Sequence, residues 1–252
     1  MASPEPARDE TPALAARLAA LRARIAAAAG RAGRDPAAVR VIGASKRQPA
    51  ARVAAAARAG LRDLGENYVQ EASSKISEVV EILGSERAGA LRWHGIGHLQ
   101  RNKAREAVAA FACLHTLDSA RLAAELARHA AAAGRTLPVL VQVNVSREPQ
   151  KSGVEEEALP ALLAAIAGHP RLRAVGLMTM PAPSGDPEAA RPAFAQLRAL
   201  RDALRDAPGG AGLEELSMGM SHDFEVAVEE GATWVRIGTE LFGPRPTDRE
   251  ET

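Results

Sequence analysis

Eight short strand-like runs occur along this chain, the first of them apolar and rich in β-branched residues, and stretches that read as helices separate them. The first pattern is that of a strand buried on both faces of a parallel sheet, and the second is that of an amphipathic helix. The runs are Val39–Lys46, Arg62–Asn67, Leu91–Gly97, Cys113–Leu117, Leu137–Val145, Leu172–Met178, Leu216–Met218 and Trp234–Ile237. Eight such units predict an α/β fold, a (β/α)8 TIM barrel, with a doubly wound open sheet as the alternative. Nothing after Ile237 is long enough for an eighth helix. An earlier stripe, Leu14, Leu18, Leu21 and Ile25, belongs to an extra N-terminal helix that is expected to cover that side of the barrel.

Local signals set further expectations. Thr11-Pro12 reads as a capping hydroxyl before a proline at the first helical position, and Gly30 or Gly33 ends that helix. The helix after the second strand runs through Val69, Ile76, Val79 and Val80. Asp118 or Ser119 caps the helix after the fourth, and Asp186-Pro187 opens one that buries Phe194, Leu197, Leu200 and Leu204. No composition break divides the chain. The expected layout is a disordered stretch over 1–10, one barrel domain over 11–245 and a tail over 246–252.

Composition narrows the function classes. The chain has 252 residues, 46% hydrophobic and 25% charged, with a formal net charge of +1. That balance creates no field to attract nucleic acid or an anionic membrane. Cys113 is the single cysteine, so no intrachain disulfide forms and a reducing compartment is expected. The first ten residues carry acids and no apolar core, unlike a signal peptide, and no window is apolar enough to cross a membrane. The expectation is a cytoplasmic protein.

In a barrel the site is built just past the carboxyl ends of the strands. Lys46 ends the first strand. A lysine there is either a solvated charge or a partly desolvated amine that forms a Schiff base with a carbonyl compound. Two glycine-containing turns, Ser217-Met218-Gly219-Met220-Ser221 and Arg236-Ile237-Gly238-Thr239, follow strands seven and eight. Glycine lets backbone N–H groups approach an anion and the hydroxyls add donors, so the pair predicts a phosphate site. A ligand that needs both a reactive amine and a phosphate cradle is pyridoxal 5′-phosphate, PLP. Arg236 is then the candidate partner of the pyridine nitrogen. A guanidinium cannot hold that nitrogen protonated as a carboxylate would, which makes the cofactor a poorer electron sink.

Several motifs occur together: Val41-Ile42-Gly43-Ala44-Ser45-Lys46, Gly65-Glu66-Asn67-Tyr68-Val69-Gln70-Glu71, and Trp93-His94-Gly95-Ile96-Gly97-His98-Leu99-Gln100-Arg101-Asn102-Lys103. Gln142-Val143-Asn144, Lys151-Ser152-Gly153, Gly176-Leu177-Met178 and the two glycine turns follow in order. From Val39 to Gly243 this series resembles the YggS/PROSC family of PLP homeostasis proteins. The resemblance implies a barrel similar to the N-terminal domain of alanine racemase, the fold type III arrangement, with Lys46 as the Schiff-base lysine. It also implies that Asn67, His94, Asn144 and Met178 line the pocket. Ser217, Gly219, Gly238 and Thr239 would hold the phosphate, with Ser221 in the same turn, and Arg236 would face the pyridine nitrogen. Gly95, His98 and His222 depart from residues common in the family, away from the Schiff-base and phosphate positions.

Other residues read more plainly. His94 and His98 do not share a helix face and no acid or cysteine cluster completes a set of ligands, so no metal is expected. His115, His129 and His169 look structural or solvated, and Cys113 looks like a small core residue. Glu155-Glu156-Glu157 fits the first turn of a helix. The resemblance implies a monomeric PLP carrier or regulator with no firmly assigned turnover, serving PLP and amino-acid balance, with apo-PLP enzymes as recipients. The alternatives are a weak PLP-dependent amino-acid racemase and a PLP-independent Schiff-base aldolase. Racemisation needs an acid/base on each face of the cofactor, which alanine racemase completes with a tyrosine from a second domain. Tyr68 is the one tyrosine here and lies at an early strand end. Lys103 and Lys151 lie near strand ends and are candidates for a role in transfer.

Overall fold

Strands β1 (Arg40–Ala44), β2 (Asp63–Glu66), β3 (Arg92–Gly95), β4 (Cys113–Leu117), β5 (Leu137–Gln142), β6 (Leu172–Met178), β7 (Glu215–Met220) and β8 (Trp234–Ile237) pair in parallel in chain order. β8 then pairs with β1, from Arg40 opposite Trp234 to Gly43 opposite Ile237, and the sheet closes. That pairing establishes the barrel and excludes the open sheet. The structure, a computed structural model, describes residues 9–148 and 151–243.

The helices are α1 (Thr11–Arg31), α2 (Ala50–Arg58), α3 (Val69–Leu83), α4 (Ser85–Gly89), α5 (Ala104–Ala110), α6 (Ala120–Ala132), α7 (Leu159–Ala167), α8 (Arg191–Leu204), α9 (Phe224–Glu229) and α10 (Thr239–Phe242). Alternate strand residues point inward and outward. Outward ones such as Leu64, Val139, Val141, Val235 and Ile237 pack with the helices in one apolar core. The interior is filled as well. A Cβ placed at Gly65 would lie 2.7 Å from side-chain carbons of both Ile42 and Ile96.

The expected stripe of α1 is buried at Leu14, Leu18, Leu21 and Ile25, each contributing about 2 kcal/mol by leaving water. The helix packs beside α2, α9 and the four-residue α10, where a full eighth helix would otherwise lie. Arg24 fixes this docking with ion pairs to Glu225 on α9 (2.7 Å) and Glu240 on α10 (2.8 Å), and Arg31 adds one to Glu229 (2.7 Å).

Several local expectations change. Thr11 is the first residue of α1 rather than its cap; Asp9 Oδ1 accepts the Thr11 N–H at 3.0 Å, and the Thr11 hydroxyl has no partner among the described residues. Asp9 and Glu10 belong to the described fold, and Arg52 donates to both carboxylate oxygens of Glu10 at 2.6 and 2.7 Å. The remainder of the expected disordered stretch, residues 1–8, and the tail lie outside the described residues. β5 ends at Gln142, short of Val145; Val143 still donates to Met178 O at 2.9 Å and forms an isolated bridge with Val154. Helix α4 was not anticipated; Gly84, at φ 78°, separates it from α3. Ser119, not Asp118, caps α6 by accepting the Leu122 N–H. Leu200 and Leu204 are only partly buried, whereas Phe194 and Leu197 are buried.

Candidate functional site

Past β1 the chain turns sharply through Ser45, Lys46 and Arg47, with Arg47 in the left-handed region at φ 59°. A non-glycine residue is held there only by its surroundings. Here the surroundings are a buried ionic cluster. Lys75 Nζ, from α3, donates to Ser45 O at 2.7 Å, to Glu66 Oε1 at 2.6 Å and to Glu71 Oε1 at 2.9 Å. Ser45 Oγ donates to the same Glu66 oxygen at 2.7 Å, and Glu71 Oε1 accepts the Arg47 N–H. The residues on both sides of Lys46 are therefore clamped, while Lys46 itself is half-buried. Burial pushes the Glu66 carboxyl above its usual range, against the opposing effect of Lys75 and Ser45, and Glu66 Oε2 has no partner among the described residues.

Lys75 did not register in the sequence. The stripe drawn through Val69, Ile76, Val79 and Val80 is rotated in the structure to Val69, Ala72, Lys75 and Val79. Ile76 packs partly and Val80 is exposed. The signal was present as the three- and four-residue spacing, with a lysine at one inward position.

Lys46 lines a cavity of about 390 Å3 at the carboxyl ends of the strands. Asn67, Ser221, Arg236, Gly238 and Thr239 line it too, so six of the eleven expected site residues share one space. Gln48, His98, Met180, Met220 and His222 complete much of the wall and were not foreseen. The other five expected residues do not line it. Asn144 sits in the loop after β5, where its Nδ2 donates to Glu148 O at 3.0 Å. Met178 is fully buried in β6. Gly219, at φ 90°, lies so close to α9 that a Cβ would approach Ala227 Cβ to 2.5 Å. Ser217 and His94 lie in the barrel interior, where Ser217 Oγ is engaged by Arg236 rather than turned to the cavity. Their polar atoms are used inside the protein, which strand-end position alone does not disclose.

Arg236 is 4% exposed. It donates from Nη1 to Ser217 Oγ at 2.7 Å and from Nη2 to Thr179 O at 3.0 Å. Burial lowers its pKa to about 10, partly offset by the charge of Asp223, so the group remains a cation at neutral pH. Lys103 lines a smaller neighbouring cavity with Tyr68, and Lys151 is tied to Glu148 Oε1 at 2.6 Å and Met180 O at 3.3 Å.

The interior also holds a cluster missed in the sequence: ligand atoms of His94, Cys113 and His115 lie within 4.8 Å of one another. Both ring nitrogens of each histidine are already in hydrogen bonds. Burial pushes the Cys113 thiol up to about 12, away from the thiolate that a metal requires. His115 is fully buried rather than solvated.

The chain is thus a closed parallel barrel with a lysine just past β1 and hydroxyl residues past β7 and β8 lining one cavity. The family described as alanine racemase, N-terminal domain, matches residues 16–246, and the chain belongs to it. A Pseudomonas aeruginosa relative called pyridoxal phosphate homeostasis protein is 47% identical over 92% of this chain and 96% of its own. The Escherichia coli K12 protein of the same name is 41% identical over 92% of this chain and 97% of its own. Among solved structures, PipY of Synechococcus elongatus with PLP bound superposes with a TM-score of 0.79. It is 38% identical, with 91% of this chain and 100% of that chain covered. Alanine racemase from Corynebacterium glutamicum shares the fold (TM-score 0.64, 17% identity), covering 96% of this chain and 64% of its own.

Proposed function

We propose that this chain binds PLP in the cavity at the carboxyl ends of its strands, holds it as a Schiff base on Lys46, and acts in PLP homeostasis. The observation that carries the reading is that Lys46 lines one 390 Å3 space with Ser221, Gly238 and Thr239. That volume falls within the roughly 300–1,000 Å3 of small-molecule sites. The PLP bound to PipY and the names of the 41–47% identical relatives support the same cofactor.

The residues fit the group. Lys46 offers the amine, on a turn that Lys75 and Glu66 keep from relaxing. Ser221 and Thr239 supply hydroxyl donors and Gly238 an open backbone for the phosphate. Arg236, buried and donor-only, is the partner for the ring nitrogen. PLP supplies a reactive aldehyde and, through its ring, an electron sink. Arg236, which can only donate, would leave a ring nitrogen placed against it without a proton, and the electron sink supplied there would be weak. Retention and release of the cofactor suit this site better than carbanion chemistry. Within this reading the protein is a monomeric cytoplasmic factor that passes PLP to apo-enzymes.

The racemase alternative needs a second acid/base in the cavity. Tyr68 is 62% exposed and lines the neighbouring space, which leaves His98 and His222 to serve. Loss of Cα deuterium from amino acids separates the readings: no exchange at enzymatic rates is expected, and steady exchange abolished at His98 or His222 would favour the racemase. The main reading is tested by borohydride reduction of PLP-loaded protein and peptide mass mapping. The pyridoxyl group is expected on Lys46, and its appearance on another lysine instead would overturn the assignment.

A further inference from the structure

Five side chains from five strands join end to end across the barrel interior. Arg236 Nη1 lies 2.7 Å from Ser217 Oγ, which lies 2.9 Å from His115 Nδ1. His115 Nε2 lies 3.0 Å from His94 Nδ1, and His94 Nε2 lies 2.9 Å from Asp63 Oδ1. The run ends at Arg92, which holds both Asp63 oxygens at 2.6 and 2.7 Å. Ser217 and His115 are fully buried, and His94 and Asp63 are 2% and 5% exposed.

Donor and acceptor capacity decides which way each proton points. A guanidinium only donates, so Ser217 Oγ accepts from Arg236. Its own hydrogen then goes to His115 Nδ1, the remaining partner that the structure gives it. The neutral His115 ring therefore carries its hydrogen on Nε2 and donates to His94 Nδ1. His94 in turn carries a hydrogen on Nε2 and donates to Asp63, which as a carboxylate only accepts. The reverse polarity would leave a buried hydroxyl hydrogen without an acceptor, at a cost that interiors avoid. Burial pushes the His115 pKa well below its usual value, and the neighbouring His94, Arg236 and Arg40 act in the same direction, consistent with a neutral ring. The Trp234 ring packs against both imidazoles, with centroids 5.0 and 6.0 Å away, and restricts their tilt.

We infer that Ser217, His115, His94 and Asp63 form a one-directional hydrogen-bond relay and act as positioning residues for Arg236. Every dipole in the relay turns its negative end toward the guanidinium. Among the described residues Arg236 has no hydrogen-bonded carboxylate, so the relay links this buried cation to Asp63 through three neutral groups. Arg236, which lines the cavity, is thereby fixed in place. The consequence for PLP rests on the reading above: the relay sets the distance and direction from which the cation meets the ring nitrogen.

Two measurements test this. Two-bond 1H–15N spectra of histidine-labelled protein without added PLP report the tautomers, with His115→Phe and His94→Gln for assignment. Neutral rings protonated on Nε2 are expected at both positions; an Nδ1-protonated or doubly protonated His115 overturns the relay. The second is the ring-nitrogen resonance of 15N-PLP bound to Ser217→Ala. Loss of the acceptor is expected to move that resonance and weaken PLP binding about tenfold, the scale of one charged hydrogen bond. Ser217→Thr, which keeps the hydroxyl, is expected to restore both. An unmoved resonance in Ser217→Ala overturns the positioning role, even if thermal stability falls. If Ser217→Ala fails to fold, Asp63→Asn replaces it, and an unchanged His94 Nε2–H resonance there counts against the relay. Failure of the wild type to take up PLP would remove the proposed function, while the tautomers measured without PLP would still decide the relay.

Discussion

Asp63 and Glu66 are buried carboxylates three residues apart on one strand, and they face opposite sides of the barrel wall. Asp63 points inward and ends the relay. Desolvation alone would raise its pKa, but hydrogen bonds from His94 and Arg92 outweigh that and hold it below the usual carboxylate range. Glu66 points outward to α3. One of its oxygens serves Lys75 and Ser45 while the other has no partner among the described residues, and desolvation prevails. The difference shows that burial does not set a carboxylate's state by itself; the number of donors reaching both oxygens does. It also separates two tasks. The inner carboxylate pairs with Arg92 and accepts from His94 at the far end of the run, and the outer one clamps the turn that presents Lys46.

The comparison can be broken from either side. The largest effect is expected from Lys75→Met, which leaves Glu66 buried without its cation. Removal of one partner of a buried pair costs about 3–5 kcal/mol, to be read from denaturant midpoints at constant slope. Lys75→Met should also weaken PLP retention, because the Ser45–Arg47 turn loses its clamp. Next is Asp63→Ala, which strands the buried His94 Nε2–H at about 1–3 kcal/mol. An unchanged midpoint would show that water replaces the carboxylate as acceptor.

The pH profiles should bend in opposite directions. Glu66 has a folded pKa above its ordinary 4.5, so its contribution to stability is full below that value and is lost as pH rises through the folded pKa. Glu66→Gln should remove that loss. Asp63 has a folded pKa below its ordinary 3.8, so its contribution is present above that value and is lost as pH falls through the folded pKa. Asp63→Asn should flatten that acid limb. Identical slopes in the two variants would contradict the comparison. The smallest effect belongs to Arg24→Ala, at most about 1 kcal/mol, because its ion pairs with Glu225 and Glu240 are partly exposed.

The barrel was legible because strands covered on both faces read as unbroken apolar runs, as in Leu137–Gln142, and glycines punctuate the helices between them. That Lys46, Ser221, Arg236, Gly238 and Thr239 line one cavity was legible because they lie at strand ends, a position that a sequence reports directly. The relay was not. His115 and Ser217 are 102 residues apart, and their contact depends on β4 and β7 facing each other through the interior. By its place in the chain Ser217 belongs with the phosphate turn, but the fold directs its side chain to Arg236 and His115 inside the barrel. Lys75 was missed for a different reason. A lysine is expected on a wet surface, and its inward place on α3 becomes visible only once Glu66 lies beneath it.

The most direct test of PLP on Lys46 is the absorbance spectrum of the purified protein with PLP, set beside that of Lys46→Ala. The account predicts a visible Schiff-base band at about 420 nm in the wild type, abolished by borohydride, and no such band in Lys46→Ala. A wild type without the band, or a Lys46→Ala protein that keeps it, would contradict the assignment.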